Sequence, residues 1–208
     1  MTVQSQEPKV RRRFQAGDQD AFARLSGDHN PLHVDPLAAR RLIFGGPVVH
    51  GVHLLLWALD IFVRPTKVSI TNLSVQFVAP ILVGAEVALD GETSEPSRHN
   101  LRITNKNGEP VVVIDVTWAD YNNDPKNWGA SLNPDCPEIK VPRIVSSKDV
   151  ANILGCLDLH LNPNLAWKLF PHLSKALDPS LLAAVLATSR IVGMEYPGQH
   201  SIFSSMSF

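Results

Sequence analysis

Apolar positions along residues 1–120 change their period once, and the change separates helices from strands. In DQDAFARLSG, Phe22 and Leu25 lie three apart with Asp18 as candidate N-cap, which predicts a short amphipathic helix ending near Gly27. Pro31 forbids its continuation, because proline lacks an N–H and biases Asn30 toward extended geometry. Asp35 and Pro36 read as the N-cap and first-turn proline of another short helix through Arg41. FGGPVVHG is a glycine-proline loop. It leads into the most apolar run of the chain, Val52 to Val63, and predicts a buried helix from about Gly51 to Val63. From Val68 the period falls to two. Leu73, Val75 and Phe77 alternate, but Val68 and Ile70 stand in the opposite phase, so a long strand with a bulge near Thr71–Asn72 is expected. Val87 and Leu89 mark a second strand. NKNGEP joins an arm carrying Leu101 and Ile103 to one in which Val112, Ile114, Val116 and Trp118 alternate with Val111, Val113, Asp115 and Thr117. A long apolar helix followed by antiparallel strands predicts an α+β fold, a curved sheet wrapped on a helix.

Tyr121 to Pro142, rich in Asn, Pro and Asp, reads as a linker. Residues 143–208 then repeat the earlier layout: an apolar helix from LDPSLLAAVLATSR, a glycine-containing turn, and a strand starting at Ser201-Ile202-Phe203. The expected organisation is a first domain over 1–120, a linker over 121–142 and a partial second unit over 143–208. One strand leaves that unit's helix half covered. The expectation is that the chain is cut short at Phe208 or that another subunit supplies the rest.

The net charge of −1 gives no electrostatic case for nucleic acid or a membrane surface. The RRR at Arg11 to Arg13 reads as a solvated strand end. Cys136 and Cys156 lack metal-ligand spacing and are too few for a disulfide framework, which points to a reducing compartment. MTVQSQEPKV lacks the apolar core of a signal peptide, and the Val52–Val63 run is too short to span a bilayer. A cytoplasmic protein is expected.

The candidate chemistry lies in SGDHNPLH, Ser26 to His33, which packs a carboxylate, two imidazoles, an amide and a proline into eight positions. Taken singly, Asp28 is a turn residue and His33 a hydrogen-bonded loop histidine. Together, FARLSGDHNPLHVDP and GGPVVHGVHLLLW resemble the hydratase motif of the MaoC-like dehydratases, the (R)-specific enoyl-CoA hydratase family, and VQFVAPILVGAEV resembles the family's strand, proline, glycine and strand sequence. The resemblance covers Arg13 to Asp120. Residues 143–208 lack both the Asp-x4-His pair and the HG, and resemble a degenerate half only weakly. The resemblance implies a hot-dog fold. It makes Asp28 and His33 the catalytic pair and Gly51 the oxyanion donor, with Asn30 and His50 shaping the substrate site, Asn30 by orienting the loop. Hydrating an α,β-unsaturated thioester needs a base for the water, an acid for the α-carbon and a donor for the thioester oxygen. Asp28 and His33 straddle a non-helical loop that can aim both at one water, and Gly51 opens a buried helix with the dipole behind its N–H.

In one place the sequence departs from the family. Several relatives carry a serine about two helical turns after the HG glycine, where this chain has Leu59–Asp60. His29 is expected to face solvent and His50 to fix the loop. A zinc site from His33, His50 and His53 is disfavoured, and neither metal nor cofactor is expected. The implied partner is an acyl-CoA or acyl carrier protein thioester, with Arg40 and Arg41 as candidates for the carrier end or a solvated helix face. Trp57 and Phe62 are the candidates for narrowing an acyl tunnel. Two other readings stay open: a non-catalytic acyl-binding or subunit-stabilising module, and a thioesterase using Asp60. A lone hot-dog leaves a sheet edge uncovered, so a homodimer or an internal pseudo-dimer is expected.

Overall fold

The structure, a computed structural model, describes residues 10–63, 66–95, 97–120, 132–146, 148, 155–199 and 202–207. Strand β1 (Val10–Arg13) leads into helix α1 (Ala16–Ser26). The first helix starts earlier than Asp18 suggested. Gln15 is the N-cap and Asp18 stands three residues inside, where its carboxylate accepts the Gln15 N–H at 2.7 Å, a capping box. Gly27 ends the helix in the left-handed region, φ 80°, as a glycine at that position permits. Two single-turn helices follow, α2 (Pro31–Val34) and α3 (Pro36–Ala39), each with proline in its first turn and an Asn or Asp cap. The SGDHNPLH segment is therefore not wholly non-helical: His33 lies inside α2.

Helix α4 (Gly51–Phe62) is apolar on every side, and its residues from Val52 to Asp60 are all buried. Strands β2 (Val68–Phe77), β3 (Glu86–Glu95), β4 (Arg98–Asn105) and β5 (Pro110–Asp120) wrap it. The bulge falls between Ile70 and Asn72, so Val68 before it and Leu73 and Val75 after it all face the core. On β5, Val112, Ile114, Val116 and Trp118 are the buried face, as the alternation required. Arg11 and Arg13 on β1 are not simply solvated; they pair with Glu86 on β3 at 2.9 and 3.2 Å. This is the α+β hot-dog arrangement: a central helix in a curved antiparallel sheet.

The later residues add β6 (Leu132–Asn133), which pairs in parallel with β7 (Leu159–His160), then α5 (Pro163–Leu169), α6 (Leu173–Ala176) and α7 (Pro179–Arg190). Asn162 and Asp178 cap α5 and α7. Residues 121–131 of the expected linker lie outside the described residues; its later part includes β6. Helix α7 continues into a π-turn, Ile191–Glu195; Ser201 of the expected C-terminal strand lies outside the described residues, Ile202 and Phe203 are not in a strand, and β8 spans Ser205–Ser207. β8 pairs antiparallel with β2 over Ser74–Gln76 and completes the sheet order β1-β3-β4-β5-β2-β8. Asp60, near the end of α4, accepts the backbone N–H groups of His172 and Leu173 at 2.9 and 2.7 Å. It ties α4 to α6. Among the described residues, no helix is long and apolar enough to cross a membrane.

Candidate active site

The loop between α1 and α2 is held from both sides. Ser26 Oγ donates to Phe22 O and accepts the Asp28 N–H at 3.1 Å, which turns the chain after Gly27. Asn30 is fully buried. Its Oδ1 accepts the Leu32 N–H at 3.0 Å, and its Nδ2 donates to Gly193 O at 3.0 Å and Gln199 O at 3.2 Å. Asn30 thus ties the loop to the Gly193 turn and does not border the cavity.

Asp28 and His33 both border a cavity of about 100 Å³, together with Gly51 and the apolar side chains of Leu54, Phe77 and Ile81. Asp28 is 2% exposed. Its Oδ1 accepts the Asn30 N–H at 3.3 Å and its Oδ2 accepts the Ser189 hydroxyl at 2.7 Å. Burial pushes its pKa above the ordinary carboxylate value, against the His33 ring and the Ser189 hydroxyl, which favour the charged form. His33 Nδ1 faces Val48 O at 2.8 Å and donates to it, which leaves Nε2 as the acceptor nitrogen of the ring. One carboxylate oxygen of Asp28 and one ring nitrogen each of His33 and His50 lie within 4.8 Å of one another.

His50 lies behind this pair, stacked on His33 with ring centroids 3.8 Å apart. Nε2 faces Asp28 O at 3.0 Å, while Nδ1 faces Gln19 Oε1 at 2.8 Å; that oxygen also takes the His50 backbone N–H at 3.1 Å. Complete burial holds its pKa well below the ordinary histidine value. A neutral ring carries one N–H, so only one of the two ring contacts is a donation. His50 is held between α1 and the loop and does not border the cavity.

Gly51 is the first residue of α4, where position alone leaves an N–H without an intrahelical acceptor. A Cβ here would meet the Phe77 ring at 2.9 Å, so the helix start approaches β2 as only glycine allows. The apolar cavity therefore carries a carboxylate, an imidazole and a helix N-terminus in one wall. This set can activate a water, deliver a proton and hold an oxyanion.

A metal fits these residues poorly. Both His50 nitrogens and His33 Nδ1 are turned to protein oxygens, which leaves His33 Nε2 and the carboxylate, short of a three-ligand zinc site. His53 is elsewhere, stacked on Phe22 at 4.7 Å. His29 is half-buried rather than solvent-facing, with Nε2 enclosed. Arg40 and Arg41 are exposed, a solvated helix end. Asp60 is absent from the cavity wall and already bonded to backbone, which removes the geometry a thioesterase reading required.

Two residues of the site escaped the sequence reading. Ser189 on α7 donates to Asp28, and Gly193 in the π-turn abuts it: a Cβ on Gly193 would lie 2.2 Å from Asp28 Oδ1. The signal for Ser189 was a lone hydroxyl on an apolar helical stripe, three and four positions after Leu186 and Val185. The tunnel candidates also change. Trp57 packs edge-on against Phe14 and Phe62 lies against Gly91, whereas Phe77 and Phe203 line the cavity.

The chain is similar to several known proteins. Residues 2–114 match the family described as MaoC like domain. Over 92 residues the chain is 38% identical to an (R)-specific enoyl-CoA hydratase of Aeromonas caviae, covering 43% of this chain and 69% of that protein. It is 32% identical over 112 residues to 3-hydroxyacyl-thioester dehydratase Y of Mycobacterium tuberculosis, covering 50% of this chain and 39% of the relative. The solved structure of an (R)-hydratase from A. caviae involved in PHA biosynthesis is similar at 30% identity and TM-score 0.46, covering 58% of this chain and 100% of that one. Since the family match runs over more than half of the sequence and contains Asp28, His33 and Gly51, the chain belongs to the MaoC-like domain family.

Proposed function

We propose that the protein is an enoyl-CoA hydratase or 3-hydroxyacyl dehydratase that adds or removes water at an α,β-unsaturated acyl thioester, with the (R)-specific stereochemistry named for its A. caviae relative. The thioester is carried on CoA or an acyl carrier protein. The observation that supports it is the meeting of Asp28, His33 and the Gly51 end of α4 on one apolar cavity. In hydration, the Asp28–His33 pair takes a proton from water as its oxygen bonds the β-carbon. The electron pair moves to the thioester oxygen, held by the Gly51 N–H. The α-carbon then takes a proton from the same pair, and the thioester carbonyl reforms. An elevated carboxyl pKa beside an imidazole suits a group that gains and loses a proton each turnover.

The same reading extends to assembly. Ser189, Val192, Gly193, Ile202 and Phe203 reach the cavity from residues 143–208, which supports an internal pseudo-dimer completing the site. Specific activity should then stay constant on dilution. The test of the function is hydration of crotonyl-CoA, followed as loss of enoyl-thioester absorbance. Asp28→Asn and His33→Ala should each lower the rate at least about a hundredfold with the fold intact. Wild-type activity that survives both substitutions would refute the proposal.

A further inference from the structure

The cavity beside Asp28 and His33 is small for a site that takes acyl chains. Ligand pockets run from about 300 Å³ upward, and this one, partly open to solvent, has a volume of about 100 Å³. An engineered apolar cavity of about 150 Å³ holds benzene, six carbon atoms. By that measure the space here holds about four. Leu54 of α4, Val112 of β5 and Phe77 of β2 belong to well-packed elements and fix three parts of its wall. Phe203 does not belong to any of them. It stands in the short segment ahead of β8, with its ring centroid 5.5 Å from that of Phe77, and the segment is anchored where Ser204 O accepts the Phe77 N–H at 2.9 Å.

We propose that the acyl group this site accepts is a four-carbon one, and that the Phe203 ring occupies the space a longer chain would need. The inference rests on the hydratase reading for the thioester itself. Phe203 is only partly buried, so the molecule does not depend on its ring as it does on the fully buried core. Phe77 is the poorer site to alter, because its ring packs on Gly51.

The test measures binding and turnover separately. Butyryl-CoA and octanoyl-CoA are saturated and cannot be hydrated; their affinities for the wild type, Phe203→Ala and Phe203→Leu are measured by calorimetry. Four- and eight-carbon enoyl-CoAs are then compared as substrates. The wild type should favour the four-carbon ligand at least about tenfold in both assays, about 1.4 kcal/mol. Phe203→Ala should close that gap by improving the eight-carbon ligand, with Phe203→Leu between the two. Equal wild-type affinity for both chains would overturn the proposal, as would an unchanged ratio in both variants. A four-carbon preference in binding without turnover of any enoyl-CoA would sustain it and remove the hydratase reading instead.

Discussion

Gly193→Ala is the sharpest perturbation this structure offers, because it reaches the Asp28 carboxylate without touching the SGDHNPLH segment. The added Cβ would lie 2.2 Å from Oδ1 and 2.7 Å from both Cγ and Oδ2, where ordinary contact begins at 3.4 Å. About 1.2 Å has to be found along the closest approach. The π-turn cannot simply back away, because Asn30 Nδ2 holds Gly193 O at 3.0 Å and would lose that bond. The carboxylate then has to move, off the Ser189 hydroxyl at 2.7 Å and away from its place beside His33. A misplacement of about 1 Å costs about a hundredfold in rate, and overpacking a filled interior costs about 1–3 kcal/mol of stability. The assay is kcat/KM for crotonyl-CoA beside the thermal midpoint, with Gly17→Ala as control. Gly17 lies in the first turn of α1 with nothing within 4 Å of the added carbon, so that change should be neutral or stabilising by about 0.5–1 kcal/mol. Gly193→Ala with a rate within threefold of wild type and an unchanged midpoint would refute the claim that Gly193 sets the position of Asp28.

Ser189→Ala removes a donor that favours the charged carboxylate, so Asp28 should bind its proton more tightly and the acid limb of the pH–kcat/KM profile should move to higher pH. Asp28→Asn should raise stability at pH 7. Burial lifts the folded carboxyl above its ordinary 3.8, so the wild type loses stability as pH rises from 3.8 through the folded value, and denaturant melts should show the variant's advantage vanish below that window. Asp60→Ala strands the backbone N–H groups of His172 and Leu173 and should cost about 1–3 kcal/mol in denaturant melts while leaving hydration within threefold, as befits a group outside the cavity.

What was legible in the sequence depended on how far apart the cooperating residues lie. Asp28, His33 and Gly51 fall within one short stretch, joined by local signals: a glycine stop, a proline turn and an apolar helix start. The phase change between Val68 and Leu73 disclosed the bulge, because a buried sheet face forces one extra residue to show in the pattern. Trp57 and Phe62 were misplaced for the opposite reason. Helix α4 is buried from Val52 to Asp60, so over that stretch its sequence has no solvent-facing stripe to say which side fronts the cavity. Asp18 was misread as a cap because Gln15, the actual cap, is not among the residues that favour that position. Ser189 and Gly193 stand 161 and 163 positions from Asp28 and Asn30, the residues they bond, and nothing local links them.

That separation bears on how the site obtains its chemistry. The residues before Asp120 supply the carboxylate, the imidazole and the helix N-terminus, but they do not by themselves bury the carboxylate. The wall that excludes water from Asp28 includes the Gly193 turn, and the hydroxyl that restrains the resulting pKa rise is Ser189. Burial and hydrogen bonding act on Asp28 in opposite directions, and α7 with its π-turn contributes to both. The proton affinity of Asp28 is therefore a property of the packing between α1 and α7 as much as of the motif that contains it. A chain with the same SGDHNPLH segment but a different residue at 189 or 193 would carry the same carboxylate and imidazole with a different proton affinity at Asp28.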